Sequence, residues 1–267
     1  MILYSVILPW HKDDDLLRRA RESVPQRADT ELIAIEDKDR LGAGRARNEA
    51  IKKASGKWLI FLDSDDFFTP GAFSVLDRHA ADEADVVYFN VSGRPAEKQR
   101  LLAAYASRPA CLEFYCRYCY PEPWGKMVSR EFVLREGIRF DSTLCANDYM
   151  FSVLCGLKAG RVAYDDAAIY EVTEREGSVS SKYFDSPLKL RDRLDVYWRV
   201  QQELDRAGVR LYPFAGIWMM CRKEGGEAYS IASEFRINQS ISRVKIWADC
   251  CRRILRKRLR MGVPYNA

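Results

Sequence analysis

Three carboxylates fall within four residues at Asp63-Ser64-Asp65-Asp66, directly behind the apolar run Trp58-Leu59-Ile60-Phe61-Leu62. Like charges held that close repel one another, so such a cluster calls for a cation to share. Carboxylate oxygens suit a hard ion, Mg²⁺ or Mn²⁺, and a diphosphate can supply the remaining ligands. Taken alone, the four residues also have a plainer reading, a solvated acidic turn that caps the next helix. The run before them shows no alternation, as expected of a central strand covered on both faces. A strand of that kind opening into acids at its carboxyl end places them where open α/β sheets bind ligands.

The elements around this run set where the acids can point. Through the first half, short apolar runs alternate with helix-period segments, the pattern of βαβ units around a mainly parallel sheet. Leu3 to Leu8 reads as a first strand ending at Pro9, and Leu32 to Ile35 as a second. Between them Asp13 is placed to cap a helix with Leu16, Leu17, Ala20 and Val24 on one face. Ala46, Ala50, Ile51 and Ala54 mark a helix that stops near Gly56. Thr69-Pro70 supplies a cap and a first-turn proline ahead of Phe73 and Leu76, and Val86 to Phe89 is a further strand. Beyond Val91 the pattern loosens. Arg94 to Pro123 is expected to be helical, Trp124 to Val128 a loop or edge strand, and Leu144 to Lys158 a helix. From Pro187 onward only helical periodicity is seen. The expected division is a sheet domain over 1–185 and a helical region over 186–267.

With 267 residues, 48% of them hydrophobic, the chain can bury a sizeable core. Eight irregularly spaced cysteines do not form a secreted disulfide framework. Cys111, Cys116 and Cys119 include one Cys-X-X-Cys, but zinc would need a second pair or nearby histidines, so they read as structural. The opening run lacks the basic region and small-residue site of a signal peptide, and a cytoplasmic protein is expected.

Four segments in order carry a resemblance: Ser5-Val6-Ile7-Leu8-Pro9, Glu31-Leu32-Ile33-Ala34-Ile35-Glu36-Asp37, Gly42-Ala43-Gly44-Arg45-Ala46-Arg47-Asn48-Glu49-Ala50-Ile51, and Gly56-Lys57 running into Asp63-Ser64-Asp65-Asp66. Together they resemble family 2 glycosyltransferases of the GT-A fold, a Rossmann-like, mainly parallel central sheet flanked by helices, here with a C-terminal helical appendage. The resemblance spans roughly residues 4 to 180. It implies a nucleotide-sugar donor, of the UDP type, and a glycan or lipid-linked acceptor. Pro9 and His11 would line the nucleoside pocket, Asp37 would accept a hydrogen bond from the base, and Arg47 would lie near the nucleotide. Asp63, with Ser64, would reach the ribose, and Asp65 the diphosphate-bound Mg²⁺ or Mn²⁺, with Asp66 a further metal ligand. Each has a plainer reading: His11 as an ordinary loop histidine, Arg47 as part of an exposed helix face. Gly42-Ala43-Gly44 also resembles part of a dinucleotide fingerprint, but the third glycine is missing and Glu36-Asp37 precede the loop instead of following it.

A second constellation, Trp124-Gly125-Lys126, then Gly137-Ile138-Arg139-Phe140, then Asn147-Asp148, resembles the family's route to its catalytic base. On that likeness Trp124 and Lys126 belong to the donor site, and Asp148 is the base of an inverting transfer. Asn147 stands where the family pattern has glutamate. The plainer reading is that Asn147 and Asp148 cap the following helix. Arg175-Glu176-Gly177-Ser178 resembles a late loop that closes over the diphosphate.

Charge is unevenly placed. Between Arg243 and Arg260 eight basic residues face one acid, Asp249, a local balance of +7 in a chain whose net charge is +5. Ile237, Ile241, Val244, Trp247, Cys251, Ile254 and Leu255 recur near helical spacing through the same stretch. Such a helix either lies on an anionic membrane surface, peripheral to the inner face, or packs on the enzyme with a solvated basic side. Use of the tail by a nucleic-acid binder is disfavoured, because one tryptophan offers little stacking surface and no recognition motif accompanies it. A catalytically silent nucleotide- or glycan-binding module of the same fold is the other alternative, and the intact Asp63, Asp65 and Asp148 argue against it.

Overall fold

The computed structural model describes residues 1–12, 14–93, 108–173 and 184–259. A seven-stranded sheet runs β1 (Tyr4–Trp10), β2 (Thr30–Glu36), β3 (Trp58–Phe61), β4 (Phe67–Phe68), β5 (Val86–Gly93), β6 (Lys126–Ser129) and β7 (Val162–Val172) in chain order. In space the order is β2-β1-β3-β6-β5-β7-β4. Parallel pairing joins β1 to β2 and β3, and β5 to β7, whereas β6 lies antiparallel between β3 and β5. Every strand except β6 and the short β4 therefore points one way. The sheet is mixed, and the segment expected as a loop or edge strand at Trp124 to Val128 sits in its interior.

Helices α1 (Asp15–Glu22), α2 (Ala43–Lys53), α3 (Ala72–Arg78), α4 (Pro109–Tyr118), α5 (Arg130–Arg135) and α6 (Tyr149–Lys158) accompany the strands. Asp14 caps α1, its carboxylate accepting from the amides of Leu16 and Leu17; the expected cap, Asp13, lies outside the described residues. At α3 the expected Thr69 cap is absent. The cap position is Gly71 in the left-handed region, and the Thr69 hydroxyl donates instead to Ala168 O on β7.

Four helices follow: α7 (Pro187–Arg206), α8 (Pro213–Glu224), α9 (Gly226–Asn238) and α10 (Arg243–Leu259). The long α7 serves two cores. Val196, Val200 and Leu204 join the sheet core, whereas Leu190 and Leu194 pack with Phe214, Ile217, Ala232 and Phe235 in a second cluster formed by α8, α9 and α10. Burial of each large apolar side chain contributes about 1.5–3 kcal/mol, so both clusters fix α7 firmly. That matters for the site, because α7 buttresses the 141–147 loop. Arg199 donates to Asp141 at 3.0 Å, Asp192 accepts from the Leu144 amide at 2.8 Å, and Lys189 O accepts from the Cys145 thiol.

Candidate functional site

The site is built at the carboxyl end of β3. Trp58 to Leu62 are fully buried, and the Leu62 amide still donates to Ile7 O beyond the last ladder residue. The chain then turns, closed by the Asp66 amide on Asp63 O at 3.1 Å. This turn sends the three carboxylates in different directions.

Asp63 faces Arg47. The guanidinium, only 4% exposed, donates to Asp63 Oδ1 at 2.6 Å and to Asn147 Oδ1 at 3.0 Å, and its carbon lies 5.2 Å from the Phe140 ring centre. Arg47 is therefore neither a residue of an exposed helix face nor an open phosphate ligand. It is a buried fork joining the end of β3 to the start of α6. The rest of the Gly42-to-Asn48 motif grips the same segment. Asn48 exchanges two hydrogen bonds with the Phe140 backbone, at 2.8 and 2.9 Å. A Cβ on Gly44 would stand 2.0 Å from Asp141 O, and one on Gly42, whose φ is +101°, 2.4 Å from Thr143 O. The glycines thus permit α2 to approach the 141–147 loop, which accounts for them without a dinucleotide.

Asp66 turns inward. Its Oδ2 accepts from the Tyr170 hydroxyl at 2.8 Å and its Oδ1 from the Thr173 amide at 2.7 Å. Burial, reinforced by the Asp63 charge, pushes its pKa up to about 7. Buried and with both oxygens already accepting hydrogen bonds, Asp66 is poorly placed for a cation, so the expectation of Asp66 as a metal ligand does not fit. Ser64 and Asp65, both half-buried, form the tip of the turn.

Tyr170 was invisible in the sequence reading, which had no strand at Val162–Val172. Its hydroxyl also accepts from the Asp63 amide at 3.1 Å, and its ring stacks on Trp124 at 5.2 Å and 10°. Trp124 is thereby brought up to the acid turn. Lys126 is not: its ammonium is buried and donates to Tyr120 O, Glu122 O and the Ser152 hydroxyl, below the Tyr120 ring. Three acceptors and an aromatic face compensate the desolvated charge. The expected donor-binding role gives way to one of shaping the turn that carries Trp124.

Asp148 occupies the position before α6 without capping it, since its side chain makes no bond to the helix amides. The capping explanation of this residue therefore fails. Burial raises the carboxyl pKa to about 6, against the pull of Arg47 and with help from the Glu122 and Asp63 charges. An aromatic trio fixes its distance from the acid turn: Phe140 stacks on Phe151 at 3.9 Å, and Phe61 meets both edge-on at 5.1 and 5.4 Å. Asp63 follows Phe61 by two residues and Asp148 precedes Phe151 by three, so both acids hang from one rigid joint.

Just beyond β2, the Asp37 carboxylate accepts from the amides of Leu41 and Gly42, each at 2.9 Å, and shapes the approach to α2. Pro9 is buried at the end of β1, and His11 is exposed beyond it. The 174–183 segment, which contains the expected late loop at Arg175 to Ser178, lies outside the described residues.

Residues 13–135, a little under half of the chain, match the sequence pattern of glycosyl transferase family 2, so this part of the chain is similar to that family. Poly(ribitol-phosphate) beta-N-acetylglucosaminyltransferase TarS of Staphylococcus aureus is 28% identical over 152 residues, covering 55% of this chain. The chain spans only 26% of the length of that relative. A crystal structure of a TarS fragment in complex with UDP-GlcNAc superposes with a TM-score of 0.62 at 20% identity, over 76% of this chain and 66% of that one. The mannosyltransferase PcManGT from Pyrobaculum calidifontis, solved with GDP-Man and Mn²⁺, gives a TM-score of 0.55 at 14% identity, over 95% of this chain and 80% of that one.

Proposed function

We propose that this chain transfers a sugar from a nucleoside diphosphate donor, of the UDP type, to a hydroxyl of a glycan or lipid-linked acceptor, with inversion at the anomeric carbon. The observation that carries the reading is the buried Arg47 fork, which ties Asp63 at the carboxyl end of the central strand to Asn147, the residue before the non-capping Asp148. TarS with UDP-GlcNAc and PcManGT with GDP-Man support a nucleotide-sugar donor on this fold. Pro9, His11 and Asp37 would border the nucleoside, Asp63 and Ser64 the ribose, and Trp124 the sugar. The acceptor oxygen attacks the anomeric carbon as the bond to the diphosphate breaks, the electron pair leaving on phosphate oxygen. The hydroxyl proton passes to Asp148, whose pKa of about 6 leaves it ionised at neutral pH and near the optimum for accepting a proton. Work of this kind is expected at the cytoplasmic face of a membrane, where a lipid-linked acceptor would be presented.

The residues also fit a divalent ion, of a particular kind. Among the described residues no group of three or more His, Cys, Asp or Glu side chains forms a ready-made metal site. Asp65 alone would contribute a carboxylate, and Mg²⁺ is commonly held by one or two carboxylates with substrate phosphates completing the shell. Such an ion, when bound, stabilises the charge developing on the departing diphosphate. The ion and nucleotide should therefore bind only together. In a thermal-shift series UDP with Mn²⁺ should stabilise the chain, by about 2.7 kcal/mol at a hundredfold excess over Kd, and neither alone should do so. Asp65→Ala should abolish that shift while leaving the unliganded melting temperature nearly unchanged. Equal stabilisation by UDP in excess EDTA would remove the metal from the reading, and a panel of nucleotide sugars in the same assay identifies the donor.

A further inference from the structure

Helix α10 packs one side on the body and turns an apolar stripe outward. Toward the body, Ile246 and Asp249 are buried, Cys250 is half-buried, and the Arg253 guanidinium lies against Gly216, where a Cβ would stand 3.0 Å from its central carbon. Arg253 also donates to Tyr212 O. On the opposite side Val244 is 74%, Trp247 69% and Leu255 56% exposed, with Ile254 and Cys251 exposed beside them. At about 100° per residue these five side chains fall within roughly 100° of the helix circumference, a continuous outward stripe. The helix packs on the body with exposed cations, as the packed-helix alternative expected, but the stripe between those cations is apolar.

The stripe is rimmed by cations. Arg243 and Arg252 are exposed on its flanks, Lys245 and Arg252 share the single acid Asp249, and four more basic residues follow in sequence by Arg260. A second copy of the chain would bring two such rims, each with a local balance of +7, against one another. That repulsion disfavours a symmetric pairing across this face. A nucleic acid would take the charges and leave the tryptophan and aliphatic side chains in water. An anionic bilayer satisfies both features, with apolar side chains below the headgroups and cations at their level.

We infer that the outward stripe of α10 (Val244, Trp247, Cys251, Ile254, Leu255) inserts shallowly into anionic phospholipid, holding the enzyme flat against a membrane surface. This gives residues to the membrane-face location proposed above, and it does not depend on the chemistry at Asp148. The test uses the full chain with vesicles of phosphatidylcholine alone or with one-third phosphatidylglycerol. Co-sedimentation should require the anionic lipid and weaken with added salt. Trp247 emission should shift to the blue on vesicle addition, a change absent from Trp247→Phe. Val244→Ser with Trp247→Ser, both at exposed positions, should reduce partitioning at least tenfold while the UDP and Mn²⁺ thermal shift is retained; Asp148→Asn should bind vesicles as wild type does. Failure to co-sediment with anionic vesicles, undiminished binding by the double variant, preferential retention on RNA, or a dimer in sedimentation velocity that the double variant dissolves would each overturn the assignment.

Discussion

Arg47→Met should leave a folded protein whose turnover falls by about 10²-fold and whose pH–rate profile moves to higher pH. The first effect follows from position: one guanidinium holds Asp63 at 2.6 Å and Asn147 at 3.0 Å, and a misplacement of about 1 Å in a reacting geometry can cost that much. The second follows from charge, because Arg47 is the cation that lowers the Asp148 pKa against its burial. Without it the carboxyl should titrate above about 6, and more of the enzyme would carry a protonated base at neutral pH. Loss of the pair should also destabilise the fold by up to about 3 kcal/mol, toward the lower end for a buried ion pair because Asp63 is partly solvated. Arg47→Lys separates the two effects. The ammonium keeps the charge but cannot fork to two acceptors, so the pH profile should stay near wild type while turnover still falls. If both variants showed wild-type kinetics and unshifted profiles, Arg47 would be a packing residue only.

The same arginine shows what could and could not be read from sequence. Periodicity located β1 to β3, α2 and the helices after Pro187, because each has a strong apolar pattern that tertiary contacts reinforce. The Asp63-to-Asp66 turn was legible for the same reason: a strand buried at every position must end somewhere exposed. The partition of its acids was not. Whether a carboxylate meets Arg47, as Asp63 does, or Tyr170 and the Thr173 amide, as Asp66 does, depends on β7, more than a hundred residues away. That strand reads Val162-Ala163-Tyr164-Asp165-Asp166-Ala167-Ala168, with a register shift against β5 that breaks the alternation a strand prediction needs. Lys126 misled for a related reason. The likeness of Trp124-Gly125-Lys126 to the family's segment puts Lys126 in the donor site, and only the backbone carbonyls of Tyr120 and Glu122 show that its charge is already satisfied.

Asp148→Asn should reduce turnover by about 10² or more, leave donor affinity intact, and stabilise the fold above pH 6. The kinetic effect is the loss of a proton acceptor in a side chain of the same shape. Had Asp148 been a helix cap, asparagine would have served nearly as well; but it makes no capping bond, so retained activity cannot be ascribed to that role. The stability effect comes from linkage. Burial raises the carboxyl from its ordinary 3.8 to about 6, so the native state binds a proton more readily than the unfolded chain does. The contribution to stability is fully present below pH 3.8, falls as pH rises through 6, and is gone at pH 8, a difference of at most about 3 kcal/mol. Asparagine is neutral throughout. The variant should therefore melt several degrees above wild type at pH 8, about half as far above it at pH 5, and close to it only below about pH 3.8, with the same UDP and Mn²⁺ shift as wild type at neutral pH. A catalytic base held ionised against its surroundings predicts this opposition of lower rate and higher stability; a merely structural acid does not. If Asp148→Asn turned over at a near-normal rate, the base would have to be sought at Glu122, whose charge already reaches Asp148, since Asp141 is tied to Arg199.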